Sequence, residues 1–545
     1  MRAIDLYSGV GGWSCGLQMC GIEIVKSYEI DRDAIKTNQL NSGHDCVQCD
    51  ILQLDLNDLP KDIDIVVGSP PCTQFSFSNR GGQGNLEKGL RHIQKFLEVV
   101  DYLKPRWWVM ENVPRTIKIV RECFSEGGAF HKFAHLQPQF YKAKAELFGT
   151  PQRRRRALIG NIDFNDLGRR ERDKLISLEA VVEAISGSKT TVEDPVYGFT
   201  LPRSSIADLA IEENLDAEEE RINRSLKTSH HIYNKMSFPE NEKVPARTLT
   251  ATCTRVSRES IVVRDRRDPS GFRRLSIRER ASLQGFPITY EFYAKSYGGK
   301  IKQIGNAIPP TLSFAVGCVM TRSDSEKTSH ASSIVRRSPM AVEARPAEYM
   351  FERKRVYTQS RSYRFAIDSY NFGSGVRFEL TNKGSIDSRT QWECKFWFGT
   401  AKKILELPLN HEIVSFLDNS LDLRTRTAVL ALEGKLKRFD GIALQRVWSH
   451  RGPAGLHPFQ LSDILTEHGL ELRSEITDQG ALQSSLPETI LRAFGPDPAY
   501  SINPKGKLAA NVSLLLSGLY ICSKFNVLVS LPSVALPDDQ VSKAL

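Results

Sequence analysis

Cysteine is sparse in this sequence, with ten residues among 545. Small secreted domains that rely on disulfides contain far more, so the composition excludes a disulfide scaffold and favours a reducing cytoplasm. Cys46 and Cys49 have the spacing of half a zinc site, but no second pair follows at finger-like spacing. The sequence therefore predicts no metal site.

Long apolar runs are also missing. A membrane-spanning helix needs about 20 consecutive, mostly apolar residues, and by eye no window supplies them. Residues 1–5 enter a predicted strand directly, which argues against a secretion signal. We therefore expect a cytoplasmic protein without a membrane partner. Its formal net charge of +10 is compatible with nucleic acid, and its length suffices for two or three domains.

What the sequence does contain is an alternation of strand and helix patterns over the first 110 residues. Apolar runs at 3–7, 23–28, 63–67 and 107–110, and another ending near Asp50, are separated by helical spacing. This rhythm predicts an α/β fold with a doubly wound, mostly parallel sheet. In such sheets, ligands bind at the carboxyl ends of the strands.

The rhythm stops at about residue 163 and resumes at 276, where Ser276 and Glu279 have the spacing of a capping box. The intervening polar stretch predicts an inserted recognition domain. A segment rich in Ser and charge follows as a linker, and strand-like then helical patterns beyond it predict an additional α+β domain. The predicted limits are 1–162 and 276–320 (catalytic), 163–275 (recognition), 321–349 (linker) and 350–545 (C-terminal domain).

One cysteine is unusually well presented. Pro70 and Pro71 precede Cys72 directly after the strand at 63–67. Proline fixes its own φ and restricts the residue before it, so the thiol stands on a stiff support at the sheet edge. Such a thiol suits a nucleophile better than a packing residue.

Other candidate site residues follow the predicted strands, and several of them lie at the carboxyl ends of those strands, as Cys72 does. Tyr7–Gly12 is a glycine-rich turn after the first strand, and Glu29 and Asp50 end the next two strands, a combination that predicts a nucleoside pocket. Glu111 ends the fifth strand and brings a carboxylate to the edge that holds Cys72. In the run 152–156, alternation places Gln152, Arg154 and Arg156 on one side.

Together these blocks resemble the DNA (cytosine-5) methyltransferase family. The resemblance covers residues 1 to about 320 and rests on blocks in the family's order. They are 5–12, Glu29, Asp50, 70–72, 111–113, 152–156, 278–287 and 303–310.

The resemblance implies a class I methyltransferase fold, S-adenosylmethionine as cofactor and a covalent mechanism. Cys72 would add to C6 of a flipped cytosine, and Glu111 would hold or protonate N3. Arg154 would contact O2, and Arg156 would hold the surrounding structure. The implied cofactor residues are Tyr7 (where the family usually has Phe), Ser8, Gly9, Gly11, Gly12, Glu29, Asp50, Pro70, Asn306 and Ala307.

Double-stranded DNA is the implied partner. Ser76, Arg80, Gln152 and Arg258 are the predicted DNA contacts, 75–90 resembles the loop that closes on DNA in this family, and basic residues at 264–274 are expected to bind phosphates. The resemblance suggests the modification enzyme of a restriction or defence system, whose cognate protein could bind the C-terminal domain.

Three alternatives stay open at this stage. The substrate could be RNA, because one branch of the family modifies transfer RNA. The C-terminal domain could be a nuclease, since Asp387, Glu393 and Lys395 resemble a metal-dependent cleavage motif. Finally, the chain could be an inactive binder that keeps the fold, although the presence of Cys72, Glu111 and Arg154 argues against it.

Overall fold

The computed structural model describes residues 1–71, 86–228, 236–323 and 329–337, together with four strands farther along the chain. The chain divides into two compact units, the first ending at Tyr349 and the second beginning at Met350. Cys72, Ser76, Arg80 and Asp387 lie outside the described residues, as do the predicted linker beyond residue 337 and the predicted C-terminal helices.

A seven-stranded sheet forms the centre of the first unit. The first 160 residues of the chain contain eight strands, and all of them except β7 belong to this sheet. They are β1 (Arg2–Leu6), β2 (Glu23–Glu29), β3 (Cys46–Gln48), β4 (Ile65–Gly68), β5 (Trp107–Asn112), β6 (Gln139–Lys144), β7 (Gln152–Arg153) and β8 (Arg155–Gly160). The sheet order is β3-β2-β1-β4-β5-β8-β6. The first five strands in this order are parallel, and β8 is antiparallel to both β5 and β6. The predicted mostly parallel sheet is confirmed.

Helices lie on both faces of this sheet. The helices described in the first unit are α1 (Gly12–Met19), α2 (Arg32–Ser42), α3 (Leu86–Leu103), α4 (Thr116–Phe124), α5 (Phe164–Arg169), α6 (Leu178–Ser186), α7 (Ala217–Thr228), α8 (Ile277–Leu283), α9 (Tyr297–Asn306), α10 (Pro310–Thr321) and α11 (Ser329–Val335). Successive residues of β1 alternate between two cores, because side chains alternate across a strand. Ala3 packs in the core that contains α1 and α10, and Ile4 in the core that contains α3 and α4.

In the described residues of the predicted recognition segment, every strand is short, with two or three residues. They are β9 (Thr191–Glu193), β10 (Thr200–Pro202), β11 (Ala246–Arg247), β12 (Val262–Arg264) and β13 (Phe272–Arg274). Its apolar side chains share one core with α8 and α9. β11 pairs in parallel with β7 in a separate two-stranded sheet, which places residues 246–247 of this segment beside the chain that enters β8.

The predicted capping box at α8 is confirmed. The Ser276 hydroxyl accepts from the Glu279 amide, and the Glu279 carboxylate accepts from the Ser276 amide. Glu279 also pairs with Arg273 at 2.8 Å, and both side chains are fully buried. The capping residue is therefore part of a buried ion pair as well.

Four antiparallel strands are described in the second unit: β14 (Arg364–Ala366), β15 (Arg377–Lys383), β16 (Gln391–Trp397) and β17 (Ile404–Leu407). Glu393 and Lys395 of the hypothetical nuclease motif lie two residues apart on β16, opposite Thr381 and Glu379 of β15.

Candidate active site

The glycine-rich turn after β1 has a backbone that few residues adopt. Tyr7, Gly9 and Gly11 all have positive φ, at 55°, 53° and 85°. This conformation is rare for an aromatic residue, and such outliers cluster at functional sites. A Cβ added at Gly9 would meet nothing within 4 Å, so the turn leaves open space at that position.

The remainder of the turn is packed tightly. A Cβ at Gly11 would lie 2.2 Å from Asn38 Oδ1, and one at Gly12 would lie 2.2 Å from the Ile308 carbonyl oxygen. The Ser8 side chain is buried, with its Oγ 3.7 Å from Cys46 Sγ. Asn38 and Ile308 therefore pack closely against Gly11 and Gly12, while the space beside Gly9 is unfilled.

Glu29 is tied to this turn at the end of β2. Its carboxylate accepts from the Gly9 amide at 2.9 Å and from the amides of Ile30 and Asp31 at 2.8 and 3.0 Å. A carboxylate held by three backbone donors is fixed in orientation. It is therefore positioned beside the open part of the turn.

Tyr7 contacts α3, the first helix described after Pro71. Its hydroxyl lies 3.2 Å from both the carbonyl oxygen and Nδ1 of His92 on α3. Burial lowers the pKa of His92, although Asp50 acts in the opposite direction. The neutral tautomer with the proton on Nδ1 satisfies both contacts, because the hydroxyl then donates to the carbonyl and accepts from Nδ1. Asp50 itself caps a short turn by accepting from the Leu52 amide.

Asp5 lies in β1 beneath the turn and is fully buried. Burial raises its pKa to about 8, although the Ser14 hydroxyl, which donates to it at 2.9 Å, acts the other way. The carboxyl is therefore largely protonated near neutral pH. It adds little negative charge beneath the glycine-rich turn.

The segment that leads to Cys72 is fastened on two sides. Trp13 Nε1 donates to Ser69 Oγ at 3.1 Å, and Asn112 Nδ2 donates to the carbonyl oxygen of buried Pro70 at 3.0 Å. The described residues stop at Pro71, so Cys72 itself lies outside them. Its support is fixed to both α1 and the end of β5.

Glu111 and Arg156 form an ion pair at the same edge of the sheet. Arg156 Nε lies 2.7 Å from Glu111 Oε1, and the side chains are only 13% and 8% exposed. The pairing Glu111↔Leu158 places both residues on one face. Glu111 directly precedes Asn112, whose side chain holds the Pro70 carbonyl. The Glu111 carboxylate is therefore one residue away from the contact that fixes the segment leading to Cys72.

The two arginines occupy positions opposite to those expected. Arg154 is 1% exposed and donates to the carbonyl oxygens of Leu249, Gly305 and Ala307 at 3.1, 2.7 and 3.1 Å. It therefore joins three separate chain segments, whereas Arg156 contacts Glu111. The geometry assigns the structural role to Arg154 and the site-facing position to Arg156, the reverse of the predicted division.

Gln152 requires a correction as well. It is fully buried, its amide nitrogen donates to Leu283 and Gln284, and its oxygen accepts from the Leu249 amide. All its hydrogen-bonding groups are engaged inside the protein, so the predicted DNA contact is wrong for this conformation. Arg258, the other predicted DNA contact in the described residues, is half-buried, and its carbonyl accepts from Arg247.

The basic residues at 264–274 are also mostly engaged within the protein. Arg273 and Arg274 are buried and pair with Glu279 and Glu212. Further ion pairs of this stretch join Arg266 to Glu183 and Glu242, and both Arg267 and Arg273 to Asp265. Arg273 and Arg274 are thus buried away from any phosphate, and phosphate binding by the rest of the stretch stays a prediction.

Asn306 and Ala307 follow the crowded Gly305. A Cβ at Gly305 would lie 2.5 Å from the carbonyl oxygen of Thr250. Asn306 is exposed, and the Ala307 carbonyl is held by Arg154. The block 303–310 therefore packs against the end of the recognition segment, with Asn306 left accessible.

Sequence reasoning missed the supporting residues of this site. The sequence pattern assigns Asn112 no role of its own, and no signal identifies Trp13 or His92 as contacts of the turn and the Cys72 support. A side-chain amide directly after a strand-end carboxylate could have indicated the Asn112 clamp. The His92 contact depends on α3 lying against the turn, which no local pattern shows.

One stretch, Tyr297–Thr321, is long and apolar enough to cross a membrane by length and composition, contrary to the expectation from the sequence. An 18-residue window within it has a mean hydropathy of 1.2, and 83% of that window is buried inside the protein. It comprises α9 and α10, which are separated at Pro309. The stretch is therefore a pair of core helices.

No group of three or more metal-ligating side chains occurs in the part of the chain that the structure describes.

Comparisons with known proteins identify relatives of residues 1–322. Residues 1–322 match the family described as C-5 cytosine-specific DNA methylase. Type II methyltransferase M1.HphI of Haemophilus parahaemolyticus is 29% identical over 344 residues, which cover 57% of this chain and 84% of that protein. Type II methyltransferase M.HgiDI of Herpetosiphon aurantiacus is 28% identical over 329 residues, which cover 58% and 92%.

Among solved structures, the Dnmt2 methyltransferase of S. pombe is similar at 18% identity with a TM-score of 0.41. The similarity covers 59% of this chain and 99% of that one. The family match ends at residue 322, before the second unit begins.

Proposed function

The chain belongs to the C-5 cytosine-specific DNA methylase family and is a DNA cytosine-5 methyltransferase that uses S-adenosylmethionine; we propose that it acts on a cytosine flipped out of duplex DNA, through a transient bond between Cys72 and C6. The observation that carries this proposal is the buried Glu111–Arg156 ion pair beside the clamped support of Cys72.

The pocket fits the cofactor. Gly9 has open space where a side chain would project, and Glu29 is fixed beside it. We propose that Glu29 binds the ribose hydroxyls, that Tyr7 packs against the adenine and that Asp50 accepts from its amine. Ser8, Gly11, Gly12 and Pro70 would shape the pocket, and Asn306 and Ala307 would close its methionine end. When bound, S-adenosylmethionine supplies an electrophilic methyl group.

The protein's own residues would divide the chemistry on the base. Cytosine C5 is a poor nucleophile, and addition of the Cys72 thiolate at C6 makes C5 nucleophilic, so covalent catalysis replaces one difficult step by easier ones. Glu111 would hold or protonate N3 and so stabilise the charge that develops on the ring. Arg156, which orients Glu111, would reach O2. Loss of the C5 proton then expels Cys72 and restores the aromatic ring.

Cytosine C6 is inaccessible inside a duplex, so the base must leave the stack at a cost of a few kcal/mol. We propose, from the family resemblance, that residues 75–90 close on the flipped base, with Ser76 and Arg80 near the DNA. Arg258 remains a proposed DNA contact in the recognition segment.

The names of the relatives support a role as the modification enzyme of a restriction system, working in the cytoplasm. The second unit would then be an accessory module that binds DNA or a cognate restriction or defence protein.

A substrate comparison tests the proposed function. Duplex DNA and transfer RNA are incubated separately with purified full-length chain and methyl-labelled S-adenosylmethionine, and the modified nucleosides are identified by mass spectrometry. We expect 5-methylcytosine in DNA alone, confined to one sequence motif when genomic DNA from expressing cells is sequenced after chemical conversion. Modification of transfer RNA alone, or of another atom of the base, would contradict the proposal.

The Tyr7–His92 contact should contribute to cofactor binding. Tyr7→Phe removes the hydroxyl but keeps the ring, and one hydrogen bond has a net worth of about 0.5–1.5 kcal/mol. We therefore expect S-adenosylmethionine to bind about 2–10-fold more weakly by calorimetry. Tyr102→Phe is the matched control, because that exposed hydroxyl contacts only Asn57 among the described residues. Unchanged affinity in Tyr7→Phe would show that the contact does not order the pocket.

A further inference from the structure

A cluster of exposed basic residues lies on the edge of the catalytic sheet, beside the candidate active site. Lys142 and Lys144 belong to edge strand β6, and Arg155 begins the neighbouring strand β8. All three side chains are exposed. Within the described parts of the chain, none of the three forms an ion pair. We call Lys142, Lys144 and Arg155 the edge cluster.

The register of the sheet concentrates these charges. Lys144 is the direct partner of Arg155, and Lys142 is the partner of Ala157. Side chains two residues apart share a face, so all three project from the same side. Like charges placed directly opposite each other destabilise a sheet, so folding alone gives no reason for this pair.

Lysines on an edge strand also discourage pairing with other chains. That explanation accounts for Lys142 and Lys144, but Arg155 belongs to a strand with a neighbour on each side. Arg121 of α4 adds a further positive charge on this face. It is exposed and lies over the Phe140 ring at 4.9 Å, and Phe140 shares a strand face with Lys142. The positive charge thus extends beyond what edge protection requires.

The edge cluster lies close to the reacting end of the sheet. Asn112, Ala157 and Lys142 are successive partners across β5, β8 and β6, so Lys142 is two strand spacings, about 10 Å, from Asn112. That distance matches about three base steps of 3.4 Å in a duplex. The Arg156 guanidinium, which pairs with Glu111, also donates to the Arg155 carbonyl at 2.8 Å. The cluster and the ion pair are therefore adjacent along β8, although their side chains project from opposite faces of the sheet.

We propose that the edge cluster binds backbone phosphates of the substrate DNA within a few nucleotides of the flipped cytosine. This inference rests on the proposed function. The cluster would supply affinity without reading sequence, because phosphate contacts position a protein on the duplex and do not distinguish bases. The edge cluster would also provide phosphate contacts in place of those expected from the stretch 264–274, where four arginines form ion pairs within the protein.

The salt dependence of DNA binding tests this inference. Each phosphate contact contributes about 0.9 to the slope of log affinity against log salt concentration. We therefore expect Lys142→Gln/Lys144→Gln to reduce that slope by about 2 and Arg155→Gln to reduce it by about 1. The change should be equal for duplexes of different sequence, and the rate at saturating DNA should stay close to that of the wild type.

The matched control is Lys61→Gln/Lys104→Gln. These lysines are also exposed but precede β4 and β5, at the opposite end of the sheet. Their replacement should leave the slope unchanged. If the cluster variants behave like this control while the wild type still methylates duplex DNA, the edge cluster is not a phosphate site and the proposed function stands. If the wild type neither binds nor methylates duplex DNA, both proposals fail.

A stability measurement separates a binding role from a structural one. Lys144→Glu converts the like-charged pair with Arg155 into an opposite-charged pair, which should raise the thermal unfolding midpoint. The same change should weaken DNA binding more than Lys144→Gln does. A lower midpoint with unchanged DNA affinity would show that Lys144 serves the fold rather than the substrate.

Discussion

Cys72→Ala is expected to abolish both methyl transfer and covalent capture of a fluorinated substrate. In a duplex that carries 5-fluorocytosine, the fluorine replaces the C5 proton, so the final elimination cannot occur. The wild-type chain should then remain bound to C6 in the presence of S-adenosylmethionine and resist denaturing electrophoresis. Alanine has no thiolate to form that bond, so no complex should appear.

The control for this experiment is another cysteine. Cys123 on α4 is partly buried, and burial raises the pKa of its thiol, so Cys123→Ala should trap the fluorinated duplex as the wild type does. DNA fluorinated throughout one strand avoids the need to know the target sequence. A complex of wild-type yield in Cys72→Ala would overturn the covalent mechanism.

The clamped support explains why one thiol should have so large an effect. Asn112 fixes Pro70, and Trp13 fixes Ser69, so the chain that leads to Cys72 leaves the sheet from a defined position. Holding reacting groups in place contributes strongly to catalysis. The same contacts connect the nucleophile's support to β5, which also carries Glu111.

The strand ends were predictable from the sequence. Glu29, Asp50 and Glu111 each follow an apolar run, and parallel strands place their carboxyl ends at one edge. These predictions depend only on local pattern and on a general property of the fold. The capping box of Ser276 and Glu279 is predictable for the same reason, since its four residues determine it.

Partners far apart in sequence were not predictable. Alternation correctly indicated that Arg154 and Arg156 face away from the exposed Arg155. The structural role of Arg154, however, depends on carbonyl groups of Leu249, Gly305 and Ala307, which lie 95 to 153 positions away. No local pattern reveals those acceptors.

The same limitation applies to the basic stretch 264–274. Its charge suggested phosphate binding, but Arg266 pairs with Glu183 and Glu242, and Arg274 pairs with Glu212. Ion pairs of this kind remove arginines from the accessible surface. The edge cluster, in contrast, is visible only once the register of β6 and β8 is known.

Glu111→Gln is expected to lower the rate of methyl transfer by about 10²–10⁴-fold, the usual contribution of a positioned acid or base. Glutamine keeps the size of the side chain but can neither carry the negative charge nor release a proton. The cofactor affinity should be unchanged, because Glu111 lies outside the turn that includes Gly9. Single-turnover rates with saturating DNA and calorimetry with S-adenosylmethionine measure the two quantities. A variant with wild-type rate would exclude Glu111 from the chemistry.

The two arginines provide the sharper comparison. Arg154→Met removes the Arg154 donor from the carbonyls of Leu249 and Gly305, at about 1–3 kcal/mol for each group left unsatisfied, while the Ala307 carbonyl keeps the Gln284 amide, so the thermal midpoint should fall strongly. Arg156→Met removes the partner of Glu111 at the partly exposed edge of the site, so the rate should fall by much more than the midpoint.

The assignment of roles depends on this contrast and not on either loss of activity alone, since an unfolded protein is also inactive. If Arg154→Met keeps its midpoint and loses only rate, while Arg156→Met unfolds, then Arg154 is the base-contacting arginine after all. The opposite pattern would place Arg156 with Glu111 in the chemistry of the flipped cytosine. It would also identify Arg154 as the residue that joins the recognition segment to the catalytic sheet.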